Sequence, residues 1–240
     1  MNVYWLEQIE ADVPTENDWL SLSEAAYLNG LHVPKRRADW RLGRWTAKCA
    51  LTSHLRLPAH QQVLASIEIH PSLSGAPEAF FQGEAAGVTI SLTHSAGRAA
   101  CAVTNSDVEL GCDLEITEPR SDAFICDYFT SDEQACIARA PAAESARLVT
   151  LLWSAKESAL KALHTGLRVD TRRVIVTVDA AFGLNVWSPL QVRHAYGRSF
   201  YGWWLHNDCF VRTVVANSKP ELPILLNPPA YSSDRSRLSA

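Results

Sequence analysis

The chain has 240 residues, with 22 Lys and Arg against 26 Asp and Glu, and so a net charge of −4. With 47% hydrophobic and 20% charged residues it is composed like a globular protein, long enough for one large domain or two small ones. The slight acidity excludes a whole-chain polyanion binder, so any basic site is local and nucleic acid is not an expected partner. No run approaches the roughly 18 apolar residues of a membrane span, and "MNVYWLEQIEADVP" lacks the basic start and apolar stretch of a signal peptide. A cytoplasmic protein is expected. Cysteines 49, 101, 112, 126, 136 and 209 show no Cys-x-x-Cys or Cys/His spacing, and are expected to be buried reduced thiols.

In chain order, "NVYWLEQI" reads as a strand and "SLSEAAYLNG" as a short helix stopped by Gly30. "PKRRADWRLGRWTAKCALTSHL" has helical periodicity through Leu42, Trp45 and Cys49. "VLASIEI" (63–69) is β-rich, and "GVTISLTHS" with "RAACAVTN" predicts a hairpin across Gly97. "ELGCDLEI" (109–116) predicts another strand. Thr130 and Glu133 behind Phe129 have capping-box spacing and open a helix. A long helix runs over about 144–163, with Leu148, Leu152, Ala155 and Ala159 as its buried stripe, ended by Gly166. "RVIVTVDA", "LQVRHAY", "SFYGWWLH" and "FVRTVVAN" predict strands, and the Pro- and Ser-rich segment from 219 predicts a frayed or surface-lying tail. "AACAVTNS" (99–106) and "VRTVVANS" (211–218) echo each other at an offset of 112. The mixture is α+β.

Four constellations bear chemistry. In a strand, Asp113 and Glu115 share a face, which is either a solvated acidic face or a site for a hard cation such as Mg²⁺. Thr93, His94 and Ser95 end a strand before a glycine turn, where an anion or a plain polar turn fits. On a helix, Arg37, Arg41, Arg44 and Lys48 form one stripe, either a solvated basic face or a phosphate site. Trp153, Glu157 and Lys161 in "WSAKESALK" project from one helix side, with Lys156 beside them. Glu157 and Lys161 are then a surface ion pair or a carboxylate and cation facing a phosphorylated ligand. No P-loop, dinucleotide fingerprint or G-x-S-x-G elbow occurs.

In order and spacing, "SLTHSAG", "LGCDLE", "YFTSDE" and "LLWSAKESALKALHTGL" resemble the signature of the 4′-phosphopantetheinyl transferases, most of all the larger Sfp-type enzymes. The resemblance implies two similar α/β lobes in pseudo-twofold arrangement with a cleft between them: residues 1–108, 109–218 and a tail of 219–240. It implies a holo-[acyl-carrier-protein] synthase type of activity. The 4′-phosphopantetheine of coenzyme A moves to a serine of an apo acyl, peptidyl or polyketide carrier protein, releasing 3′,5′-ADP. The chain is then a monomer serving fatty acid, polyketide or nonribosomal peptide synthesis. By the same resemblance Asp113, Glu115 and Glu157 match the Mg²⁺ ligands, with Glu157 or Glu115 as base. Lys161 matches the pyrophosphate-binding lysine, Lys156 its neighbour, and Thr93 and His94 the pair near the coenzyme's 3′-phosphate. Lys35, Arg36, Arg37 and Arg44 fall where basic residues meet the nucleotide phosphates. Three positions depart: Ala76 replaces the cation of a G-[KR]-P segment, Thr93 a serine, and His164 the first glycine of G-x-G-L. The alternatives are an inactive coenzyme A or carrier-binding module and a metal-dependent phosphodiesterase.

Overall fold

The computed structural model describes residues 1–105, 107–178 and 185–231. They divide into two compact units: Tyr4–Asp107 with the chain from Ile224 onward, and Met1–Val3 with Val108–Pro223. Among the described residues no helix is long and apolar enough to cross a membrane.

The first unit begins with strand β1 (Tyr4–Ile9) and helix α1 (Leu22–Asn29), opened by a Ser21/Glu24 capping box. Helix α2 (Pro34–His54) starts on a proline, whose missing N–H costs nothing at a first turn, and buries Leu42, Trp45 and Cys49. Helix α3 (Gln61–Ser66) leads into strands β2 (Ile67–Pro71), β3 (Pro77–Phe81) and β4 (Glu84–Ala85). The run 63–69, expected as β, is therefore half helix. Its buried Leu64 and Ile67 stand three apart, a spacing an apolar run this short leaves open to either period. Strands β5 (Val88–Ser95) and β6 (Arg98–Asn105) make the expected hairpin, with Ala96 and Gly97 at φ 46° and 75°. β1 pairs antiparallel with β6 on one side and parallel with Ile224–Leu225 on the other. The segment expected to fray or to lie over the surface supplies a sheet edge, and Tyr231 beyond it packs on Trp45 and donates to Asp18. Residues 232–240 of that expected tail lie outside the described residues.

The second unit runs through β7 (Leu110–Ile116), α4 (Asp122–Tyr128), α5 (Ser131–Arg139), α6 (Ala142–Ala162), β8 (Val174–Val178), β9 (Ser188–His194), β10 (Ser199–Asn207) and β11 (Phe210–Ala216). The sheet order is β7-β11-β10-β9-β8, antiparallel throughout, with α6 laid against β7 and β11. Leu148, Leu152, Ala155 and Ala159 are buried against it. Gly166 does not end α6: Leu163 caps it and His164 takes the left-handed turn at φ 56°. The echoing segments lie on β6 and β11, each interior to its sheet and almost wholly buried. A strand covered on both faces calls for small and β-branched residues, which accounts for much of the likeness.

Each unit also holds one lysine in its core by the same device. Lys48 in α2 and Lys156 in α6 are 0% exposed. Lys48 meets Glu24 at 2.6 Å and the Trp19 and Leu64 carbonyls; Lys156 meets Glu133 at 2.9 Å and the Thr171 and Val174 carbonyls. In both cases the glutamate is the third residue of a capping box. Cys49, Cys101 and Cys112 are buried, but Cys126, Cys136 and Cys209 are exposed, so burial explains only half of the cysteines.

Candidate functional site

Strand β7 can lie close on α6 because residue 111 is glycine. A Cβ there would stand 1.8 Å from the Ser158 carbonyl oxygen. On the neighbouring strand, a hydroxyl cluster ties the helix to β11: Thr213 Oγ1 lies 2.9 Å from Ser154 Oγ and 2.7 Å from Ser158 Oγ. These contacts fix the strand and helix that carry the acidic residues.

At this junction Lys161 donates to Asp113 Oδ1 at 2.8 Å and to the Cys112 carbonyl at 3.0 Å. The partner of Lys161 is therefore across on β7, and not Glu157 one turn back. Asp113 is 4% exposed. Glu115, two residues along the same strand face, accepts from the Trp153 indole at 3.3 Å and lies 3.7 Å from the Arg120 guanidinium. Trp153 and Lys161 thus both turn toward β7, and Glu157 lies close enough to Asp113 to feel its charge.

The charges are strained. Burial and then Asp113 push the Glu115 carboxyl up to about 7, against Arg120, the Trp153 N–H and Lys161. Burial and Asp113 also raise Glu157, with Lys161 opposing. For Lys161 burial works against the charge, but Asp113 and Glu157 outweigh it and its pKa is raised. Three carboxylates share too little positive charge, and their oxygens are the donors a hard divalent cation takes. The donor chemistry fits such an ion. Among the described residues, however, no three His, Cys, Asp or Glu side chains are gathered as a ready metal cluster. Lys161 supplies the charge at Asp113 instead.

Lys156, expected beside the ligand, is a correction. Its ammonium is fully buried and spent on Glu133 and two carbonyls, so it has nothing to offer a cofactor.

The remaining expected residues belong to the first unit. Lys35 and Arg36 are exposed, and Lys35 pairs with Asp39 at 2.7 Å. The arginine stripe of α2 turns out to fasten the helix. Arg37 donates to the Leu28 carbonyl, Arg41 to the Pro14 and Thr15 carbonyls, and Arg44 to the Ile69 carbonyl at 2.6 Å while pairing with Glu24 at 3.5 Å. Of these, Arg44 still lines a cavity of about 480 Å³, together with Tyr27, Trp40, Thr93 and His94. Thr93 is buried and His94 exposed. Gly75 and Pro77, which flank Ala76, also line it, so the missing cation of that segment belongs to this wall.

Sequence reasoning passed over Gly111, Arg120, Ser154, Ser158 and Thr213, and gave Trp153 no role. Ser154 and Ser158, two hydroxyls one turn apart inside an apolar stripe, were the available signal.

Residues 109–206, less than half of the chain, match the family model of the 4′-phosphopantetheinyl transferase superfamily. No curated protein matches the chain significantly. The matched stretch contains every residue of the β7–α6 junction except Thr213.

Proposed function

We propose, from the premise that residues 109–206 form a 4′-phosphopantetheinyl transferase superfamily domain, that the protein moves 4′-phosphopantetheine from coenzyme A to a serine of an apo carrier protein. The observation that carries this reading is the meeting of Lys161 with Asp113, with Glu115 and Glu157 beside them, at one strand–helix junction inside the matched stretch. In the reaction the serine oxygen bonds to the β-phosphorus as the bond from that phosphorus to the bridging oxygen breaks. The leaving group is 3′,5′-ADP, and the serine proton passes to a carboxylate.

Glu115, raised to about 7, suits a proton acceptor near neutral pH, and Glu157 is the other candidate. Lys161 is placed to neutralise pyrophosphate charge once Asp113 has another cation to face. Asp113, Glu115 and Glu157 are the residues proposed to hold Mg²⁺, which when bound supplies charge neutralisation on the phosphates. In the first unit, the cavity with Arg44, Thr93 and His94 is proposed for the nucleotide end, and Lys35, Arg36 and Arg37 are proposed as further cations for its phosphates. Arg37 is the weakest of these, being committed to Leu28. The finer parts of the reading are an Sfp-type, two-lobed, monomeric enzyme of the cytoplasm acting on acyl, peptidyl or polyketide carriers.

The test is the intact mass of an apo carrier protein incubated with this protein, coenzyme A and Mg²⁺, with and without EDTA. A gain of one phosphopantetheine arm is expected, absent with Glu157→Ala. No gain on several carriers despite coenzyme A binding identifies an inactive binding module instead.

A further inference from the structure

We propose that Trp153 and Arg120 are positioning residues that orient the Glu115 carboxylate, Trp153 through a hydrogen bond to one oxygen and Arg120 through an ion pair with the other. This deepens the transferase reading and rests on it only for the role given to Glu115. The Trp153 indole N–H reaches Oε1 at 3.3 Å, and the Arg120 guanidinium lies 3.7 Å from Oε2. A carboxylate oxygen accepts through two lone pairs, so Oε1 keeps one and Oε2 both for a cation or for the carrier serine's proton.

Both donors are themselves held. The Trp153 ring meets Phe124 edge-on at 5.0 Å and Tyr128 at 5.1 Å, and those two rings touch at 4.8 Å. The Arg120 guanidinium stands over the Phe124 ring at 5.3 Å and also pairs with Glu118 at 3.0 Å. Phe124, on α4, therefore touches both donors. One carboxylate is fixed from α6, from the segment before α4, and by the strand it grows from. A chain needing only to tie α6 to β7 has Lys161 on Asp113 and the Cys112 carbonyl for that purpose. The clamp on Glu115 adds direction to a side chain that otherwise swings on its own torsions. Carboxylates that ligate metals are characteristically held by such outer partners, whose loss weakens metal binding about 10–100-fold.

The test uses Mn²⁺, bound with coenzyme A present and read by electron paramagnetic resonance without any carrier. Trp153→Phe keeps a ring between Phe124 and Tyr128 but deletes the N–H. It is expected to raise the Mn²⁺ dissociation constant about 10-fold or more, with the coenzyme A dissociation constant at saturating Mn²⁺ changed far less. Arg120→Gln should weaken Mn²⁺ likewise, and Arg120→Lys should restore part of the loss. In the wild-type protein the Trp153 indole ¹⁵N–¹H resonance should shift on adding Mg²⁺, a measurement that needs no variant to fold. Equal Mn²⁺ affinity in folded Trp153→Phe, or an indole resonance that Mg²⁺ leaves in place, overturns the proposal. So does a wild-type protein that takes up no Mn²⁺. If Trp153→Phe weakens Mn²⁺ while no carrier is ever modified, the positioning role stands and the transferase reading falls.

Discussion

Lys156 Nζ lies 2.9 Å from Glu133 Oε2 with the lysine wholly buried, and Lys48 repeats the relationship with Glu24 at 2.6 Å. In each case the glutamate's other oxygen accepts from a strand amide, Val176 or Ile69, so helix, capping box and strand converge on one ion pair. Removing one partner leaves the other charge buried and uncompensated, a loss of about 3–5 kcal/mol. Lys156→Met is therefore expected to lower the midpoint of urea unfolding sharply. Whatever fraction folds should keep its KM for coenzyme A. A large KM increase in a stably folded variant returns Lys156 to the ligand site.

Lys161 is expected to behave differently, because its ammonium is part-exposed and faces Asp113 and Glu157. On the proposed transferase reading, Lys161→Met removes a cation that neutralises developing phosphate charge, and kcat is expected to fall by about 10²–10³. The measurement is the steady-state rate of carrier modification at saturating Mg²⁺. Activity within a few-fold of wild type would reduce Lys161 to a counter-ion for Asp113.

The contrast between these two lysines shows what the sequence made legible. Both stand in "WSAKESALK", and the four-residue spacing correctly placed Trp153, Glu157 and Lys161 on one side. Composition and length point to β7, capping-box spacing to the helix start at Thr130, and periodicity to the buried stripe of α6. Lys156 shows the limit, because a lysine inside an apolar helix suggests function until its partner is known. Glu133 lies 23 positions away in sequence, beyond any local pattern. The stripe of Arg37, Arg41 and Arg44 shows the same limit: its acceptors are carbonyls of residues 28, 14, 15 and 69, which the spacing alone does not reveal. Sequence spacing fixes which side chains share a face. It does not fix what that face meets.

Gly111 carries the closest approach in the site. Gly111→Ala drives a methyl to 1.8 Å from the Ser158 carbonyl, with the Ala162 amide nitrogen at 2.8 Å. Backbone on both sides must shift, at a cost of about 1–3 kcal/mol, and β7 moves off α6. The expected outcome is a lower thermal midpoint together with a drop in activity beyond that of Ser154→Ala, which removes one hydroxyl contact and leaves the approach intact. Normal activity in a destabilised Gly111→Ala protein would show that the Asp113–Lys161 contact survives a looser packing.

The raised Glu115 carboxyl sets a pH signature of its own. Its value climbs from 4.5 to about 7 on folding, so between those values the folded chain binds the proton that the unfolded chain has released. Stability is then full below about pH 4.5, falls as pH rises toward 7, and levels off above it. Glu115→Gln cannot ionise and loses this slope, so its thermal midpoint should rise relative to wild type as pH goes from 5 to 7.5. Glu157, raised in the same sense, leaves a smaller slope in the variant. A divalent cation held by these carboxylates competes with the proton. Mg²⁺ added at pH 7.5 should therefore stabilise wild type more than Glu115→Gln and narrow the gap. Parallel pH profiles for the two proteins would mean that Glu115 ionises in the folded state as it does in water, with Arg120 and the Trp153 N–H offsetting burial completely.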